Sequence, residues 1–232
     1  GYNLEPGSKK LTALNYYTNE EITIPLDPTQ TPGENAQRYF AKYNKQKRTF
    51  EALTELIQET ADDIQYLESI SNALDIALSE ADLAQIKEEL MQSGYIRRKH
   101  TKKKVKLTSK PMHYISSDGY DMYVGKNNLQ NEELTFSFAN GNDWWFHAKG
   151  APGSHVIVKS GGDELPDRTF EEAGRLAAYY SKNRGADKVE IDYIQKKHVK
   201  KPNGAKPGFV VYYTNYSLVI DSDISNIKNV QD

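Results

Sequence analysis

Apolar and aromatic side chains return every seven residues over the stretch from Ala36 to Leu78. One position of the frame holds Ala36, Tyr43, Phe50, Ile57, Ile64, Ser71 and Leu78; three residues later come Tyr39, Gln46, Leu53, Thr60, Leu67 and Leu74. Only a long helix keeps such residues on one stripe, and a stripe at this period reads as a coiled-coil seam. The helix is predicted to begin near Gly33-Glu34-Asn35. A second helix, Glu80 to Gln92, carries Leu83, Ile86 and Leu90 and stops at Gly94. It is about a third as long as the first. The rest of the seam therefore needs the preceding extended segment, a second copy, or a helix outside this chain. Ahead of the seam, Leu11, Ala13, Ile22 and Ile24 alternate with polar residues around Tyr16 to Glu21, the pattern of a hairpin. Pro25, Pro28 and Pro32 punctuate the loop that follows. A coiled coil alone is a spacer or an oligomerisation device and carries no chemistry.

Charge divides the chain further. The formal net charge is only -2, yet residues 1–96 hold 8 Lys and Arg against 16 Asp and Glu. Residues 97–110 hold 8 basic side chains and no acid: Arg97, Arg98, Lys99, Lys102, Lys103, Lys104, Lys106 and Lys110. This segregation predicts an extended and coiled-coil region over 1–96, a basic linker over 97–113 and a separate domain over 114–232. The linker is either a solvated connector or a polyanion contact, and its composition leaves both open. With 0 cysteines the chain has no disulfide and no thiolate chemistry, which suits the cytosol and equally a cysteine-free bacterial surface protein. No apolar run approaches a membrane span, and the opening Gly1-Tyr2-Asn3 reads as the interior of a longer protein.

From Tyr114 onward strands and helices mix, and the whole chain is predicted to be α+β: an antiparallel or mixed sheet with packed helices, preceded by a long helical arm. Asp118-Gly119 between Tyr114–Ser116 and Tyr120–Val124 is a strong hairpin signal, since both turn residues tolerate positive φ. Leu129 to Phe138 reads as a short helix. Thr169-x-x-Glu172 reads as a capping box, opening an amphipathic helix that Gly185 ends. Val189 to Tyr193 alternates as a half-buried strand. Phe209–Tyr213 and Leu218–Ile220 read as a final hairpin pair.

Four groups of residues invite a functional reading. The run Asp143-Trp144-Trp145-Phe146-His147-Ala148-Lys149 places Trp145, His147 and Lys149 on one strand face, suited either to stacking on a base or to a second layer of core. His147 and His155 flank a Gly/Pro turn, but a metal would need further ligands that no spacing supplies. The segment Lys196 to Gly208 carries Lys196, Lys197, Lys200, Lys201 and Lys206 with no acid, and its prolines and glycines shape it as a phosphate-contacting loop. Gly125-Lys126-Asn127-Asn128 lacks the phosphate-loop pattern and is a plain turn or a weak anion cradle. There is no Gly-x-Ser-x-Gly elbow, no His-Glu-x-x-His and no carboxylate pair, so no catalysis and no cofactor are expected. The predicted nucleic-acid contacts are Lys196, Lys197, Lys200, Lys201, Lys206, Trp145, His147, Lys149, His155, Arg97, Arg98, Lys102, Lys103 and Lys104.

These residues also resemble a known family. Asp118-Gly119 with Val124 to Asn128, Asp143 to Lys159, Glu172-Ala173 with Tyr180-Ser181-Lys182, and Val199 to Gly208 are similar, in order, to the NFACT-R domain of the NFACT family. Asn15-Tyr16-Tyr17, Ile24 to Asp27, and Asn35-Ala36 with Tyr39-Phe40 and Tyr43 resemble that family's coiled-coil middle region. The resemblance implies an RNA-binding module of a ribosome quality-control factor. In the whole protein it would help to engage a stalled large ribosomal subunit carrying peptidyl-tRNA and support C-terminal tailing of the stalled peptide. It implies a cytoplasmic location. Because some members are named fibronectin/fibrinogen-binding proteins, it also raises a bacterial surface adhesin as the alternative.

Overall fold

A computed structural model of the chain describes residues 4–5, 7–97 and 109–230. These fall into two compact units, residues 1–62 and 63–232.

In the first unit, β1 (Lys10–Asn15) and β2 (Glu20–Pro25) pair antiparallel, with Asn15 opposite Glu20. Asn19 supplies the positive φ that closes the turn. The start of α1 (Pro32–Ile76) is fixed by side chains. Glu34 Oε2 accepts from the backbone N–H of Thr31 at 2.7 Å, and Asn35 Oδ1 accepts from that of Asp27 at 2.8 Å. Hydrogen bonds from Thr31 hold the Glu34 carboxyl below its ordinary range. The predicted seam is present along the helix but uncovered: Tyr43, Phe50 and Ile57 are 59%, 71% and 67% exposed.

In the second unit the helical contact differs from the predicted one. α1 continues, and α2 (Glu80–Gln92) begins at a Ser79/Asp82 capping box. The buried face joining them is Tyr66, Ile70 and Ala73 against Ile86, with Leu90 beside it. The predicted seam residues Ile64, Leu67, Leu74 and Leu78 stay exposed. The stripe that packs is thus offset from the heptad frame. A helix as short as α2 covers only a short length of α1, and the large Tyr66 side chain fills much of it.

The remainder is an antiparallel sheet that, among the described residues, has seven strands. They are β3 (Met112–Ile115), β4 (Asp121–Val124), β5 (Trp144–Ala148), β6 (Val156–Val158), β7 (Val189–Gln195), β8 (Tyr216–Ile220) and β9 (Lys228–Asn229). Their order is β8-β7-β5-β6-β4-β3-β9. The Asp118-Gly119 hairpin forms as predicted, with Gly119 at φ +89. The sheet carries two further helices, α3 (Asn128–Glu133) and the long amphipathic α4 (Asp167–Tyr179). α4 lies on one sheet face with Ala173, Leu176 and Ala177 against Phe146, Ala148 and Ile191.

The other sheet face is also covered. α3 runs into a π-helical turn, Leu134–Phe138, where one helix was predicted. Leu134, Trp145, Ile157, Ile194 and Val199 form a second core there, with Val210 and Tyr212 packed against it. Phe209–Tyr213 is therefore not a hairpin strand. It crosses this face and makes a single bridge to Lys200, while β8 pairs with β7. The predicted capping box at Thr169 is also absent. The helix starts at Asp167, and Thr169 Oγ1 donates instead to Asp118 Oδ2 at 2.8 Å while Glu172 accepts from Ser117. Both side chains are used to hold the β3–β4 turn.

Candidate nucleic-acid interface

The aromatic run forms the centre of the sheet. Trp145 pairs with Ile157 on one side and Ile194 on the other, and is 0% exposed. Its indole packs edge-on against His155 at 5.1 Å, against Tyr212 at 4.9 Å, and near-parallel to His147 at 5.6 Å. Trp145 is thus core and cannot stack on a base. Of the two readings of this strand face, the second layer of core is the one the structure forms.

His155 follows it inward. It is 2% exposed, its Nδ1 lies 2.8 Å from Thr135 Oγ1, and its backbone N–H donates to Asn131 Oδ1 at 3.0 Å. Burial, and then the neighbouring His147, push its imidazole well below the ordinary value. His147 is half-buried, enclosed on most sides by protein. Burial pushes its imidazole down from 6.5 to about 4. Both rings are neutral at pH 7, so neither offers a charge to a phosphate. The two rings meet edge to face at 5.4 Å. Among the described residues no group of three or more His, Cys, Asp and Glu side chains is placed to hold a metal ion.

The basic loop sorts into two kinds of lysine. Lys201 Nζ lies 2.7 Å from Glu132 Oε1, and Lys206 Nζ 2.5 Å from Asp63 Oδ1. Lys206 also donates to Tyr95 Oη at 2.9 Å and sits 4.5 Å from the Tyr66 ring centroid. Lys149, predicted as a phosphate contact, is exposed but pairs with Glu190. Among the described residues, Lys196, Lys197 and Lys200 make no ion pair; Lys196 sits over the Phe136 ring at 5.8 Å. A short helical turn, Lys196–His198, presents the first two from a backbone anchored by Asp143 O and Gly141 O, and Lys200 is held by a bridge to Val211. Of the linker lysines and arginines, Arg97 is exposed at the end of the helical segment. Arg98, Lys102, Lys103 and Lys104 lie outside the described residues.

Two features rest on contacts that no local pattern announces. Asp143 is nearly fully buried, and Lys159 Nζ lies 2.5 Å from its Oδ2, while the amides of Asn140 and Ser160 also donate to it. Acid and base are 16 residues apart, one just before β5 and the other just after β6. The Gly125 to Asn128 turn is the other: Gly125 N–H donates to His155 O and Lys126 N–H to Gln130 Oε1, so these amides are used. Lys126 Nζ meets buried Asp82 Oδ1 at 2.6 Å. The turn is a structural knot and no anion cradle.

Fold and site together define an α+β module with a basic loop, carried by a chain that begins as a hairpin and a long helix. The chain belongs to the NFACT family: residues 1–109 match the NFACT N-terminal and middle domains, and residues 110–214 the NFACT protein RNA binding domain. It is 46% identical over 218 residues to the Rqc2 homolog RqcH of Streptococcus pneumoniae (serotype 2 strain D39), covering 94% of this chain and 39% of that protein. It is 41% identical to the Rqc2 homolog RqcH of Bacillus subtilis (strain 168), covering 97% of this chain and 40% of that protein. The chain thus spans about two-fifths of these relatives. The structure of the C-terminal of the fibronectin/fibrinogen-binding protein from Streptococcus suis superposes with TM-score 0.77 and 43% identity, covering 86% of this chain and 80% of that one.

Proposed function

We propose that this chain is a non-catalytic RNA-binding part of a ribosome quality-control factor of the cytoplasm. In the whole protein it engages the large ribosomal subunit carrying peptidyl-tRNA and supports C-terminal tailing of the stalled peptide. The observation that carries this reading is a set of three lysines, Lys196, Lys197 and Lys200, that form no ion pair among the described residues. They stand on one anchored loop of a domain that matches the NFACT protein RNA binding domain. Lysines without a carboxylate partner can neutralise phosphates without first breaking an ion pair. Lys201 and Lys206 act as struts of the loop.

The test is sedimentation of the chain with purified large subunits, with and without peptidyl-tRNA, at two salt concentrations. The reading predicts co-sedimentation that is stronger with peptidyl-tRNA and weakened at least tenfold by Lys197→Glu with Lys200→Glu. Recovery of the chain in the supernatant under all conditions contradicts it.

A second reading is fibronectin or fibrinogen binding at a bacterial surface. It is favoured by the likeness to the Streptococcus suis protein of that name and by β8, whose position at the end of the strand order leaves one backbone edge for a partner strand. Titration of immobilised fibronectin decides it, since strand addition is far less sensitive to salt than phosphate contact.

A further inference from the structure

One cavity of the second unit is not used by the lysine contacts. It holds about 200 Å³, and its lining includes Gln65, Asn128, His147, His155, Gly208 and Tyr212. The Gly150–Gly153 turn and Phe209–Val210 also line it. Its size is below the 300–1,000 Å³ of a drug-sized ligand site, and suits one planar heterocycle.

The walls specify the chemistry. None of the lining residues is cationic, so a phosphate has nothing to pair with there. Two imidazoles at right angles, 88° apart, present ring edges and faces together. Tyr212 forms part of the wall and is fixed in place, its hydroxyl donating to Asp192 Oδ2 at 3.0 Å. Asn128 and Asn131 are held by Glu89 and by the His155 amide. With the asparagines and the tyrosine hydroxyl engaged inside the protein, the wall offers flat His147 and Tyr212 rings and the exposed Gln65 amide, which suit a neutral planar aromatic with a polar edge, the features of an unstacked nucleobase.

The placement joins cavity to phosphate contacts. Lys200 and Val211 form a β-bridge, so the loop that carries the three lysines returns as the cavity wall at Val210 and Tyr212. The geometry points to this cavity as a receptor for a single flipped-out base of single-stranded RNA, with the backbone phosphates of the same strand running over Lys196, Lys197 and Lys200. The lysines position the strand and the cavity reads or holds one base. This rests on the RNA-binding reading above and adds the base.

The test compares single-stranded RNA octamers of A, C or U, a mixed octamer containing G, and an octamer of abasic ribose phosphate, by fluorescence anisotropy. The abasic strand offers phosphates alone. The wild-type chain is expected to bind at least one base-bearing octamer about fivefold or more tighter than the abasic one, the lower end of a single base contact. Gln65→Trp, an exposed helix position at the cavity mouth, is expected to remove that difference and leave abasic binding unchanged. His147→Ala is expected to do the same, and Gln65→Trp keeps the question answerable if His147→Ala fails to fold. Equal binding of abasic and base-bearing strands by the wild type overturns the base receptor and leaves the phosphate reading intact. So does a difference that survives Gln65→Trp. No binding of any octamer at low salt overturns both readings.

Discussion

Lys200 and Val211 exchange both backbone hydrogen bonds, at 2.9 and 2.8 Å, and so close the chain between them into one loop. The bridge gives the loop one shape, with the Lys196, Lys197 and Lys200 ammoniums on one limb and the cavity wall on the other. Val211 is itself exposed, so its side chain is not what matters here.

Val211→Pro removes the donor of one of these bonds without touching a core side chain. The expected outcome is a loss of about 1 kcal/mol in stability and faster hydrogen exchange at the Lys200 amide. RNA affinity should fall along with it. Unchanged exchange at Lys200 would show that the loop is held by something else.

Trp145→Ala should cost about 3–5 kcal/mol, because a fully enclosed indole leaves a cavity between two sheet neighbours and a covering layer. Urea unfolding measures it. If Trp145 were a stacking platform, the variant would keep its stability and lose RNA affinity, the reverse of what burial dictates.

Much of the fold was legible because its signals are local. Asp118-Gly119 sets its own turn, and the heptad run made a long helix unavoidable. What the sequence concealed depends on groups far apart. Thr169 and Glu172 look like a cap, but the 116–118 turn, some fifty residues earlier, takes both side chains. Lys201 and Lys206 look as free as Lys200 until Glu132 and Asp63 arrive from other elements. The face of Trp145 could be read either as core or as a stacking surface, because nothing local announces that Val210 and Tyr212 cross over it.

Gly125→Ala tests the knot beside the cavity. A Cβ there would lie 2.2 Å from Asn131 Oδ1 and 3.0 Å from the Asn131 backbone nitrogen. Asn131 must then give up its bond to the His155 amide, at a cost of about 1–3 kcal/mol. A crystal structure of the variant should show the Asn131 side chain displaced; a native-like Asn131 with native stability would contradict the packing described.

Stability should fall on mild acidification. His147 titrates at about 4 when folded against an ordinary 6.5, so between these values the unfolded chain binds the proton and the folded chain does not. The contribution is fully present above pH 6.5 and lost as pH falls to about 4, on the order of 3 kcal/mol in all. Asp82, buried but held down to about 2 by Lys126, Ser109 and the α2 cap, acts only below its ordinary 3.8. Urea midpoints at several pH values between 4 and 7 check this, and His147→Gln should make the slope shallower, leaving the part that comes from His155, whose imidazole burial also pushes down.

The claim that three lysines of one loop carry the RNA contact is tested most directly by the salt dependence of binding to single-stranded RNA. Log affinity should fall linearly with log salt concentration. Each phosphate neutralised on a single strand adds about 0.7 to that slope, so replacing Lys196, Lys197 and Lys200 together by alanine should make it shallower by about 2. Replacing Lys201 and Lys206 should leave the slope nearly unchanged. Equal slopes for the wild type and the triple variant, or a larger change from Lys201 and Lys206, would contradict the account.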